Sequence, residues 1–101
     1  MERKEVYVIS VKNYYLMTAL EFDVLDELYF VVSFRHLQEE LEMEEQTLKE
    51  ALLALLQKGW VKCFKDASEE AMQHETEFEI KYKEYFYLAS KKGLLAHNGR
   101  V

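Results

Sequence analysis

The chain has no proline, three glycines and one cysteine among 101 residues. Without proline there are no stiff extended spacers, and three scattered glycines leave no flexible tether, so nothing divides the chain into separate domains. A lone cysteine, Cys63, cannot form an internal disulfide, and nothing points to an oxidising compartment. Long apolar runs are missing too. Leu28–Val32 and Ala51–Leu56 fall far short of the roughly 20 residues that a bilayer-crossing helix needs. Arg3 and Lys4 precede an apolar stretch, but Lys12 and Asn13 interrupt it before a signal-peptide core is complete. These absences lead us to expect a cytoplasmic protein with no membrane partner. There is also no Gly-rich phosphate loop and no nucleophile motif, so no enzyme class recognisable by a short motif is indicated.

Half of the residues are apolar and 14% are aromatic, which excludes intrinsic disorder and allows one modest core over residues 1–101. The net charge is −6. Residues 1–43 carry nine acids and four bases, residues 67–84 six acids and two bases, and only residues 85–101 are basic. A field of this sign repels polyanions unless local lysines override it.

Glu5–Val11 is rich in β-branched and aromatic residues and reads as a strand, with Asn13-Tyr14-Tyr15 as a connection; residues 1–17 form this N-terminal unit. A core of three helices is expected over 18–60. Thr18-Ala19-Leu20-Glu21 is a capping box that opens a helix running to about Phe30. Ser33 caps a second helix, whose apolar face is Phe34, Leu37 and Leu41. Leu41-Glu42-Met43 makes a turn, and a third helix runs from about Glu44 to Lys58 before a left-handed Gly59. Over 61–89 a long β-hairpin is expected. Trp60–Lys65 is its first strand. Its return strand is inferred from Phe78, Ile80 and Tyr82 alternating with charged residues, continuing through Phe86 and Leu88. The connection Asp66–Thr76 is long and acidic. Ser90 caps a closing helix, Lys91–His97, within residues 90–98.

Leu37…Leu41-Glu42-Met43, Thr47-Leu48 and Leu55…Lys58-Gly59-Trp60-Val61 resemble the helix-turn-helix of MarR- and PadR-type bacterial transcriptional regulators. Tyr87-Leu88-Ala89-Ser90-Lys91-Lys92-Gly93 is similar to the segment leaving the wing in the same families. The resemblance covers roughly Thr18 to His97. It implies an α+β winged helix-turn-helix: a three-helix core plus a β-hairpin wing, here with an extra N-terminal strand and a C-terminal helix. It also implies a homodimer that binds duplex DNA.

Carried onto this chain, the resemblance puts Gln46, Thr47 and Lys49 in the groove. Gln46 suits an adenine, Thr47 a phosphate or thymine methyl, and Lys49 a phosphate or guanine. Lys65, Lys81 and Lys83, with Lys62, flank the wing where a phosphate backbone would run. The acids beside them favour a different outcome. Glu44, Glu45 and Glu50 suit a solvated helix start that complements the helix dipole, and the hairpin lysines have glutamates to pair with. A second function class follows, a winged helix that has lost DNA binding and engages a protein partner. Its candidate surface is Leu53, Leu56 and Trp60, because the helix around Ala51–Leu56 is apolar nearly all round. That stripe is equally explained by burial within one chain. His36, His74 and His97 are scattered, and Cys63 and His74 lack any zinc spacing, so no metal, cofactor or catalytic residue is expected. Cys63 reads as a small inward residue of its strand.

Overall fold

Hydroxyl caps set the helix starts where the sequence places them. In the computed structural model, which describes residues 6–8, 16–66, 69–70 and 77–99, helix α1 spans Ala19–Asp26. The Thr18 hydroxyl accepts from the Glu21 amide at 3.0 Å, and the Glu21 carboxylate accepts from the Thr18 amide at 3.1 Å. Helix α2 (Phe34–Leu41) starts at Ser33, whose hydroxyl accepts from the His36 amide at 3.1 Å. Glu42 then turns the chain in the left-handed region, with φ of 51°, into helix α3 (Glu45–Gln57). Helix α5 (Lys91–His97) starts at Ser90. Helix α1 ends at Asp26 rather than near Phe30, because the Glu27 amide closes back onto Val24 and Leu25.

Strands β3 (Val32–Ser33), β4 (Val61–Asp66), β5 (Glu69–Glu70) and β6 (Phe86–Ala89) form one antiparallel sheet in the order β3-β6-β4-β5. Tyr87 of the central strand pairs with Val32 on one side and Cys63 on the other. Strand β1 (Val6–Val8) pairs with β2 (Leu16–Thr18) in a separate two-stranded ladder. The expected N-terminal strand therefore has a partner that sequence reasoning missed. Its connection, Asn13–Tyr15, lies outside the described residues. The architecture is α+β.

The segment 61–89 is not a simple long hairpin. The expected return strand begins only at Phe86, and Phe78–Lys81 is a short helix, α4. Over so few residues the alternation also satisfies a helix, in which residues four apart share a face. Phe78 and Tyr82 do so, with ring centroids 5.8 Å apart. Glu77 and Lys81 do so at 3.7 Å. Ile80 takes the opposite face and is 77% exposed. Part of the expected acidic connection is strand β5; the rest, including His74, lies outside the described residues.

The core gathers leucines of α1, α2 and α3 around Phe34, Trp60 and Tyr87, all fully or almost fully buried. The apolar third helix is thus explained within one chain. Trp60 has no exposed surface, and Leu53 and Leu56 are half-buried and packed against the core. Buried Glu21 also receives Lys58 at 2.7 Å, and Lys58 lies 4.9 Å above the Trp60 ring. Helix α5 sits directly on the Trp60 backbone. The Trp60 carbonyl accepts from the Ser90 amide at 2.9 Å, and the Ser90 hydroxyl donates to the Gly59 carbonyl at 2.7 Å. A Cβ at Gly93 would lie 2.0 Å from that Trp60 oxygen.

Gly93→Ala is therefore expected to destabilise the fold by about 1–3 kcal/mol despite alanine's better helix propensity, since a backbone oxygen cannot move aside. Gly59→Ala, with φ of +76° and nothing near its Cβ position, is expected to cost about 1–2 kcal/mol through strain alone. Urea midpoints of the two variants check both figures.

Candidate functional site

The outward face of the first turns of α3 is where the sequence places groove contacts, and the structure covers part of it with the chain's own α4 and the turn that follows. Glu44 starts the helix without a side-chain cap. Tyr82 donates its hydroxyl to the Glu45 carboxylate, and the Lys83 ammonium lies 3.5 Å from the same group. Lys49 meets the Glu79 carboxylate at 2.9 Å and lies 4.8 Å from the centre of the Tyr82 ring. Gln46 donates to Glu50, one turn along, at 3.0 Å.

The core fixes this cover in place. Phe78 is buried, and its ring lies 6.4 Å from that of Tyr87. The Tyr87 hydroxyl donates to the Tyr82 carbonyl at 2.6 Å, and the Tyr85 hydroxyl accepts from the Glu77 amide at 2.9 Å. Tyr82 also packs edge-on against Phe34 of α2, with centroids 5.2 Å apart. The turn after α4 is thus held from the sheet side and the α2 side at once.

The electrostatics agree with the geometry. The Tyr82 hydroxyl, and after it Lys83, hold Glu45 below its usual 4.5. Glu79 holds Lys49 above its usual 10.5, and the Glu45 carboxylate raises Tyr82 above its usual 10.0. Near neutral pH the Glu45 carboxylate and the Lys49 ammonium are charged and the Tyr82 phenol is neutral, the states this arrangement favours.

Most of the predicted contact residues therefore have partners within the chain. Lys49 and Lys83 are tied to Glu79 and Glu45, and Lys81 lies 3.7 Å from Glu77. Gln46 is engaged with Glu50, and Thr47 is half-buried. Lys62 and Lys65 are exposed on β4. Lys65, Glu77, Lys81, Glu84 and Tyr85 line an open cavity of about 570 Å³ that carries charges of both signs. Sequence reasoning missed Glu79 and Tyr82 as the partners of α3. The one signal for them was Tyr82 standing four residues after Phe78. Leu53, Leu56 and Trp60 contribute to packing, as described above.

Cys63 and His97 are packed into the fold. Cys63 is buried, and burial pushes its thiol up to about 12, far from a reactive thiolate. His97 stacks on Phe22 at 4.3 Å, meets the Tyr29 hydroxyl at 3.0 Å and lies 3.3 Å from Asp26. Among the described residues, no three His, Cys, Asp or Glu side chains gather as metal ligands, and no helix is long and apolar enough to cross a membrane. Comparison with known proteins finds no matching family model, curated protein or solved structure.

The contact between α3 and α4 is expected to fail at both ends of the pH scale. Glu45 is lowered, so its contribution is present above 4.5 and lost as pH falls through its folded value. Tyr82 is raised, so its contribution is present below 10.0 and lost as pH rises through its folded value; Lys49 behaves likewise above 10.5. NMR shifts of the Tyr82 ring should report both transitions, and Glu45→Gln should remove the acid one.

Proposed function

We propose that this chain is a winged helix-turn-helix module that acts by binding protein, with α3 turned from a DNA-reading helix into part of its own packing. The winged-helix reading is supported by connectivity. A short strand lies between the first two helices, α2 and α3 meet at a tight turn, and the short strand and β4 both pair with β6. The observation that carries the loss of DNA binding is the engagement of Lys49 and Glu45 by Glu79, Tyr82 and Lys83. Duplex binding needs lysines presented to phosphates, and each one neutralised by a neighbouring carboxylate no longer displaces a counterion from DNA. The acidic balance of the whole chain acts in the same direction. The single buried thiol accords with a reducing, cytoplasmic setting.

The competing reading is a homodimeric transcriptional regulator that contacts DNA through Gln46, Thr47, Lys49, Lys65, Lys81 and Lys83. It is favoured by the same connectivity, and it requires Lys49, Lys81 and Lys83 to leave their carboxylates.

Fluorescence anisotropy against mixed duplex fragments at low and moderate salt tests the choice. No salt-sensitive binding is expected, and Lys49→Ala and Lys81→Ala should change nothing. Strong salt-dependent binding that either substitution weakens would overturn the proposal. A variant carrying Glu79→Gln and Tyr82→Phe removes the carboxylate and hydroxyl partners of Lys49 and Glu45, while buried Phe78 keeps α4 in place. It should remain a poor DNA binder, because Glu44, Glu45 and Glu50 still face the groove.

A further inference from the structure

The end of α5 meets α1 around one histidine. The His97 side chain is only 8% exposed, and its ring stacks on Phe22 with centroids 4.3 Å apart. Asp26, one turn after Phe22 on the same helix, places a carboxylate oxygen 3.3 Å from the buried Nε2. The other ring nitrogen, Nδ1, lies 3.0 Å from the Tyr29 hydroxyl, and the two rings meet edge-on at 5.7 Å. Tyr29 is brought there by its neighbour Leu28, which is buried and whose carbonyl accepts from the Ala89 amide at 2.9 Å. Tyr29 itself stays 43% exposed, so the hydroxyl that faces the imidazole belongs to a residue open to solvent. Asn98 Oδ1, at 3.3 Å, is a second and more distant acceptor for the same proton.

A hydroxyl within hydrogen-bond reach of a base, with the base oriented by a third group, is the arrangement that activates a nucleophile. A carboxylate beside Nε2 favours the tautomer that carries its proton there, which leaves Nδ1 as the acceptor facing Tyr29. The stacked Phe22 ring fixes the plane of the imidazole, and Asp26 can balance the charge that the ring gains with a second proton. We infer that Tyr29 is a nucleophilic hydroxyl that takes an acyl group from a neutral activated ester, with His97 as its base and Asp26 as the positioning carboxylate. The Tyr29 oxygen attacks the ester carbonyl carbon and His97 Nδ1 takes the phenol proton. The bond from that carbon to the leaving oxygen breaks, and the leaving group receives the proton from His97. The acyl group remains as a tyrosyl ester and the freed alcohol or phenol departs. Charge selects the class of donor. Asp23 and Asp26 are exposed on α1 and the whole chain carries −6, a field that disfavours phosphorylated and other anionic donors. The site is separate from α3 and α4 and holds whether the chain engages protein or DNA.

Reaction of the full chain with p-nitrophenyl acetate tests the inference. Release of p-nitrophenol is followed by absorbance, the acetylated residue is found by tandem mass spectrometry, and circular dichroism checks folding. Acetylation is expected first at Tyr29. Tyr29→Phe keeps the ring and its packing and should abolish the fast release, whereas Tyr82→Phe should leave it unchanged. His97→Gln should slow acetylation of Tyr29 by about 100-fold, the contribution typical of a general base. Asp26→Asn should slow it as well, and Asp26→Glu should recover part of the rate, which a loss of packing alone would not give. If His97→Gln loses the helical signal of α5, the Asp26→Asn and Asp26→Glu pair carries the comparison. Acetyl groups confined to lysines with Tyr29 unmodified, a release indifferent to Tyr29→Phe, or a Tyr29 rate that folded His97→Gln and Asp26→Asn variants leave unchanged each overturn the inference.

Discussion

The hydrogen bond from the buried Tyr87 hydroxyl to the Tyr82 carbonyl organises the side of the molecule that faces α3. Tyr87 stands on the central strand of the sheet, where its ring fills the core and its hydroxyl is cut off from water. An unpaired phenol there would cost about 1–3 kcal/mol, so the chain must bring an acceptor to it. The acceptor is the backbone just after α4. Burial accordingly pushes the ionisation of Tyr87 far above the range of an ordinary phenol. With the Tyr82 carbonyl held there, its side chain lies between Phe34 and the start of α3. The contacts with Glu45 and Lys49 follow.

That placement changes the meaning of the charges on α3. Read as a linear pattern, an acidic helix start with one lysine suggests either a solvated surface or a poor groove reader. In three dimensions Glu45 and Lys49 face Tyr82, Lys83 and Glu79, from a segment thirty or more residues away. Each of these exposed pairs is weak alone. Their joint effect is geometric, since they hold a short helix across the outward face of α3. Exposed aromatic surface lies elsewhere, where Tyr29 and Phe30 emerge at the connection between α1 and β3.

Local chemistry made much of the framework legible. Thr18 with Glu21, Ser33, Gly59 and Ser90 act within three or four residues of themselves, so their caps and turns can be read from spacing alone. Cys63 alternates inward on β4 as its neighbours require. The segment from Phe78 to Tyr82 was misread because alternation over five residues fits two periods, and only packing chooses between them. Phe78 and Tyr82 share a face of a helix and meet the core together, leaving Ile80 in water. The apolar wrap of α3 was ambiguous for the same reason. Whether Leu53, Leu56 and Trp60 meet a partner or their own chain depends on which elements fold back over them.

The sequence by itself determined that this is an α+β unit, where α1, α2, α3 and α5 begin, which turn joins α2 to α3, and that its charge disfavours a polyanion. All of these depend on composition or on interactions spanning a few residues. Only the tertiary structure decided that Trp60 lies under α5, that outward residues of α3 are engaged by α4 and the turn after it, and that Phe30 stands exposed. Those outcomes join residues distant along the chain. They turn on the space left at Gly93 for the Trp60 carbonyl and on the acceptor that buried Tyr87 requires, which no local pattern specifies.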